Sequence, residues 1–121
     1  MAAVTGVGGL FFRASNPEAL TAWYAEHLGI GGTVPWMGDA GPMVFAPFAA
    51  DTDYFGRPEQ WAMINLRVDD LDGLVAKLEA AGIAAERRAE WDGPHGRFAR
   101  IHDPDGNAVE LWEPALPPSE R

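Results

Sequence analysis

Residues 98–113 read Phe-Ala-Arg-Ile-His-Asp-Pro-Asp-Gly-Asn-Ala-Val-Glu-Leu-Trp-Glu, and this stretch decides the fold. Asp103-Pro104-Asp105-Gly106 carries proline at the second and glycine at the fourth turn position, the pattern of a type I turn. The flanking segments Phe98–His102 and Asn107–Glu113 alternate apolar and polar side chains, so together they predict a β-hairpin. Alternation also divides the faces. Ala99, Ile101, Val109 and Leu111 fall on one side, and Phe98, Arg100, His102, Ala108, Glu110 and Trp112 on the other.

Upstream of the hairpin, Ala62–Val68 reads as a strand. Asp70 is placed to cap a helix whose buried face is Leu71, Leu74, Val75 and Leu78, Gly82 closes that helix, and a strand is expected around 84–91. Sliding the chain against itself sets Leu10-Phe11-Phe12-Arg13-Ala14 against Ile64-Asn65-Leu66-Arg67-Val68, and Leu20 against Leu74. The first half then follows the same plan. Residues 7–14 form a strand, Asn16 caps a helix with Pro17 at its first position, and Leu20, Trp23, Tyr24, His27 and Leu28 make one face. Gly29 ends that helix, and strands are expected around 32–37 and 42–48 with a turn over Gly38-Asp39-Ala40-Gly41. The chain therefore reads as a duplicated strand–helix–strands unit. Its N-terminal module covers about 5–48, a linker 49–60, and the C-terminal module about 61–113. Tyr54 and Phe55 in the linker are placed to fold over a pocket, and the proline-rich tail 114–121 is expected to fray.

Composition bounds the function. The chain has 121 residues, 47% of them apolar and 22% charged, which suits one packed domain. It has no cysteine, so disulfides, thiolate metal ligands and a cysteine nucleophile are excluded, and a reducing cytoplasm is the expected compartment. The net charge is −9, with one lysine, Lys77, which argues against nucleic acid as a partner. The N-terminal residues lack a basic start before an apolar stretch, and no apolar run approaches the roughly 20 residues that span a bilayer, so neither signal peptide nor membrane is expected. Ser15 and Ser119 lie in no nucleophile motif. The glycines of Gly6-Val7-Gly8-Gly9 precede a strand rather than a helix and make no phosphate loop.

The order of Asn16-Pro17-Glu18-Ala19-Leu20, Trp23-Tyr24, Leu28-Gly29, Val68-Asp69-Asp70-Leu71-Asp72 and Asp103-Pro104-Asp105-Gly106-Asn107 with Val109-Glu110-Leu111 resembles the vicinal oxygen chelate superfamily. That superfamily includes glyoxalases, bleomycin-resistance proteins and extradiol dioxygenases. The resemblance implies an α+β fold of two βαβββ modules that curl around a cup-shaped cavity, in a chain that pairs as a homodimer. It also implies up to four metal ligands, two near the starts of the modules' first strands and two on their last strands. Here the first pair of positions holds Gly9 and Met63, the segment Met43–Phe48 offers no donor, and Glu110 alone stands where a ligand is expected. His102 is the one candidate to join it. No cofactor is expected, with a divalent metal as the alternative.

The cavity lining expected from alternation is Phe11, Met63, Phe98 and Trp112, carrying Arg13, Asn65, Arg67, Arg100 and Glu110. Trp36, Trp61 and Trp91 are candidate aromatic walls. An apolar cavity with a few convergent polar groups is the usual form of a small-molecule site, and guanidinium groups suit a carboxylate or phosphate. Pairing of Arg67 with Glu110 is the competing structural reading. Beside a purely structural or regulatory dimer with an occluded cavity, two functions follow. One is a metal-independent protein that binds a small anionic or aromatic molecule, as the bleomycin-resistance branch does. The other is a lyase, isomerase or dioxygenase with Glu110 as its catalytic group.

Overall fold

The computed structural model describes residues 2, 4, 7–31 and 36–115. Its order is helix α1 (Pro17–Leu28), strand β1 (Ile64–Arg67), helix α2 (Leu71–Ala80), a short 3-10 helix (Ala89–Trp91), strand β2 (Gly96–His102) and strand β3 (Ala108–Pro114). The sheet runs β1-β3-β2, with β3 parallel to β1 and antiparallel to β2. The architecture is thus α+β.

Both helices start and stop on the expected residues. The Asn16 side chain accepts from Ala19 N at 3.1 Å, and Asp70 accepts from Gly73 N at 3.0 Å, each satisfying one of the amides that a helix leaves unpaired at its start. Gly29 takes the left-handed conformation at the end of α1, with φ 66°. At the end of α2, Ile83 N bonds back to Leu78 O at 2.9 Å while Gly82 supplies the positive φ.

The expected inner faces meet. Leu71, Val75 and Leu78 of α2 pack with Ala99, Ile101, Val109 and Leu111 of the hairpin, and Leu20 and Tyr24 of α1 join the same core. The hairpin turn forms as expected, with Gly106 N bonded to Asp103 O at 2.8 Å. Gly96 opens β2 with φ 133°, where an added Cβ would lie 2.1 Å from Glu113 O, so this position accepts only glycine without a backbone shift.

Five expectations are corrected. Residues 7–14 and 42–48 form no strands, because neither segment pairs its backbone with another strand among the described residues. Of the strand expected at 32–37, residues 32–35 lie outside the described residues and 36–37 are not in a strand. The strand expected at 84–91 shrinks to one bridge, Glu86 with Arg100, followed by the 3-10 helix. Pro114 is not frayed but ends β3; residues 116–121 lie outside the described residues. The described sheet therefore comes wholly from the second half, and the first half contributes α1 to the core. Apolar side chains of the first half stay open to solvent, Phe11 at 95% and Phe45 at 84%.

The two halves are tied through the hairpin turn. Tyr24 Oη donates to Asp103 Oδ2 at 2.8 Å, and Ser15 donates through N and Oγ to the Asp105 carboxylate at 3.0 and 2.7 Å. Those Ser15 bonds hold the Asp105 carboxyl below the usual carboxylate range. Burial, and then the Asp103 bond, push the Tyr24 phenol well above its ordinary value. Because the folded-state value is raised, this contribution to stability is complete below the unfolded tyrosine value of about 10 and is lost as pH rises past it. Tyr24→Phe is expected to lower unfolding free energy at neutral pH by about 1.5–3 kcal/mol in urea titration. The same variant is expected to soften the loss of stability above pH of about 10.

Candidate functional site

The face of the sheet opposite the helices carries the polar cluster. Register places Asn65 of β1 beside Glu110 of β3, and Glu110 opposite Arg100 of β2. One step along, Arg67 lies beside Trp112 and Trp112 opposite Phe98. A one-residue change in register would turn every one of these side chains into the core, so the buried face of Ile101, Val109 and Leu111 fixes the composition of the open one.

Glu110 is 9% exposed and its two oxygens are both engaged. Asn65 Nδ2 donates to Oε1 at 2.7 Å, and Tyr54 Oη from the linker donates to Oε2 through a short bond. Burial, and next the Glu110 bond, push the Tyr54 phenol up to about 12. Arg100 reaches across the same point. Its Nη2 donates to Tyr54 O at 2.6 Å and lies 3.8 Å from Met63 Sδ. Its guanidinium stands 4.9 Å from the centre of the Tyr54 ring and 5.3 Å from that of Trp91. Cation–π contacts of this kind contribute about 0.5–2 kcal/mol each. Arg100 Nε is buried and, among the described residues, has no hydrogen-bond partner. Beside this cluster Phe98 and Trp112 stack almost parallel, at 6.2 Å and 5°, with Trp112 Nε1 donating to His95 O at 2.9 Å.

The structure thus brings together Met63, Asn65, Arg100 and Glu110, with Phe98 and Trp112 adjoining them on the same face. The other expected lining residues lie elsewhere. Phe11 is solvent-exposed, and Arg13 lines an outer groove of about 310 Å³ with Ala14, Ser15, Arg57, Asp105 and Asn107, because the strand expected to carry both is not paired. Arg67 does not meet Glu110. It donates to Pro42 O at 2.7 Å and Asp39 O at 2.5 Å, holding residues 39–42, which form no regular turn, against β1. His102 shares the sheet face but lines a separate groove with Trp23, Ile83 and Asp103. Trp36 donates to Gly29 O at 3.1 Å at the end of α1, and Trp61 is 92% exposed; of the three candidate walls only Trp91 reaches the cluster.

The donor set does not fit the metal centre that the fold family implies. Among the described residues no three His, Asp or Glu side chains converge. Glu110 already accepts two protein donors and has Arg100 as its cross-strand neighbour, which disfavours adding a cation there. The cluster instead combines one carboxylate, a guanidinium whose buried Nε has no acceptor among the described residues, and aromatic faces.

Gln60 has no signal in the sequence. It is buried, donates to Ala108 O at 2.9 Å and Ala62 O at 3.1 Å, and accepts from Ala108 N at 2.7 Å. It therefore clamps the end of the linker onto the start of β3. Arg57 adds bonds to Asp105 O and Asn107 Oδ1 at 3.1 and 3.0 Å. Gln60→Ala would strand the buried Ala108 peptide groups and is expected to cost about 2–4 kcal/mol in chemical denaturation, with Gln60→Glu restoring little because it lacks the donor.

A family profile described as a glyoxalase-like domain matches residues 9–112. No curated protein matches the chain. Among solved structures, TnmS3, an antibiotic binding protein from Streptomyces sp. CB03234, is 29% identical over 95% of this chain and 100% of its own, with a TM-score of 0.59. A glyoxalase/bleomycin resistance protein from the same Streptomyces strain is 31% identical over 82% of this chain and 92% of its own, with a TM-score of 0.47. An integron cassette protein from the mobile metagenome of the Halifax Harbour sewage outfall shares the fold, at 19% identity over 91% of this chain and 99% of its own, TM-score 0.58.

Proposed function

The chain belongs to the glyoxalase-like domain family, and from that premise we propose that it is a binding protein for a small aromatic or anionic organic molecule, working without the family's usual metal centre. The observation that carries this reading is Arg100: a guanidinium against the Tyr54 and Trp91 rings, with a buried Nε that has no acceptor among the described residues. A buried donor without an acceptor loses its hydration and gains nothing in return, so an anionic or carbonyl oxygen at that point would be bound with advantage. The stacked Phe98–Trp112 pair supplies apolar surface beside it. The likeness to TnmS3, itself an antibiotic binding protein, supports the same class of activity.

Glu110, the group on which the enzymatic reading depends, acts in this reading as an acceptor that positions Tyr54 and Asn65. The protein is also proposed to pair with a second copy. The exposed apolar residues of the first half, Phe11, Met37 and Phe45 among them, are a surface that pairing would cover. Among the described residues no helix is long and apolar enough to cross a membrane.

Isothermal titration with cinnamate and naphthoate tests the proposal. Arg100→Leu is expected to weaken binding at least tenfold, whereas Arg67→Ala, which removes a guanidinium committed to backbone carbonyls, is expected to leave affinity within about twofold. Elemental analysis of protein purified without chelator is expected to find no stoichiometric metal. Equal losses at Arg67 and Arg100, or one bound divalent ion per chain, would sink the reading.

A further inference from the structure

The linker does more than join two halves. From Ala49 to Gly56 it is folded on itself by local bonds, Thr52 N to Ala49 O, Tyr54 N to Thr52 Oγ1 and Gly56 N to Asp53 O. Among the described residues, the hydrogen bonds that leave this segment both involve Tyr54. Its hydroxyl donates to Glu110 and its carbonyl accepts from Arg100. Beyond Gly56, which has φ 93°, the chain is fixed by Arg57 and by the Gln60 clamp. The segment is a strap with a firm anchor at one end and a single residue, Tyr54, latching its middle through its hydroxyl and its carbonyl.

That side chain has the chemistry of a ligand. Tyr54 presents a hydroxyl to Glu110 Oε2 and an aromatic ring to the Arg100 guanidinium, with Phe48 stacked on it at 5.8 Å and 21°. Asn65 holds Oε1, so Oε2 has room for one principal donor. An anionic group placed there would meet like charge; a hydroxyl would not.

We propose that Tyr54 is an internal occupant of the site, and that the ligand is a hydroxylated aromatic which displaces it, putting its own hydroxyl on Glu110 and an acidic or carbonyl oxygen on Arg100 Nε. The inference rests on the binding reading above and adds the ligand's hydroxyl and the movement of the strap. Competition between phenols makes the apparent affinity of the intact protein lower than that of the open site, by the fraction of molecules whose strap is open.

The test compares para-hydroxycinnamate with para-methoxycinnamate on the intact chain, Tyr54→Phe and Tyr54→Ala. Calorimetry gives affinity, and amide hydrogen exchange over residues 49–56 reports the strap. Removing the internal phenol is expected to raise affinity for para-hydroxycinnamate about tenfold in either variant, the worth of one hydrogen bond to a charged acceptor. The methoxy probe, which has no proton to donate, is expected to bind at least about tenfold more weakly to every form. Exchange in the strap is expected to speed up in Tyr54→Phe without added probe. Unchanged or reduced affinity in both variants, equal binding of the two probes, or unchanged exchange overturns the proposal while leaving the binding function intact. Failure of both probes to bind any form removes the binding function as well.

Discussion

The structure hangs on one buried carboxylate. Asp103 is 4% exposed at the head of the hairpin turn, where an unpaired charge would cost several kcal/mol. It is supported by the Tyr24 hydroxyl, the amides of Asp105 and Asn107, and the Asn107 side chain, at 2.8 to 2.9 Å. These bonds fix the turn, the turn fixes the pairing of β2 with β3, and the pairing fixes which side chains face away from the helices. Through Tyr24 the same carboxylate holds α1 onto the sheet. Its neighbours extend the arrangement, since Ser15 and Arg57 both reach the turn residues.

What this frame presents on its open face is a balance of charge rather than a single ion. Glu110 and Arg100 are cross-strand neighbours, yet each finds its described hydrogen bonds elsewhere, the carboxylate with Tyr54 and Asn65, the guanidinium with a backbone carbonyl and aromatic rings. A second charged cluster shows the contrast. Arg97 bonds both Asp72 and Glu113, and the Arg87 and Arg97 guanidinium groups hold the Asp72 carboxyl below the usual range. Glu113 in turn caps α2 through Leu71 N at 2.8 Å. That cluster is saturated and structural. In the one around Arg100, the Nε has no acceptor among the described residues.

The second half of the fold was legible in the sequence because its signals were local. Proline and glycine in the Asp103–Gly106 turn, alternation in the strands, and the caps Asn16 and Asp70 each follow from the chemistry of a few adjacent residues. The face shared by Asn65, Arg100, Glu110 and Trp112 came from the same alternation. The first half was less legible. Residues 7–14 and 42–48 have strand-like sequences, but a strand exists only when another backbone pairs with it, and no local pattern supplies the partner. Tyr54 over a pocket and Trp91 as a wall were expected, but their partners there, and the role of Gln60, depend on how the linker and the 84–91 segment pack against the hairpin. Those contacts span long sequence separations and leave no periodic trace. Arg67 shows the same limit from the other side: it falls on the expected face, and its partners are carbonyls of a distant segment that only the folded chain brings near.

Against the four metal ligands that the superfamily resemblance implies, this chain has Gly9 and Met63 at two of the positions and a guanidinium opposite the one carboxylate. The central claim is that an aromatic acid binds at Arg100. Nitrogen–proton correlation NMR reads it directly, since the Nε–H of Arg100 and the indole N–H groups of Trp91 and Trp112 each give a separate signal. On titration with para-hydroxycinnamate the account predicts saturable shifts at Arg100 Nε and at both indoles, with the Trp23 indole beside the His102 groove unmoved. Shifts confined to the Trp23 groove, or none at Arg100 at saturation, would contradict it.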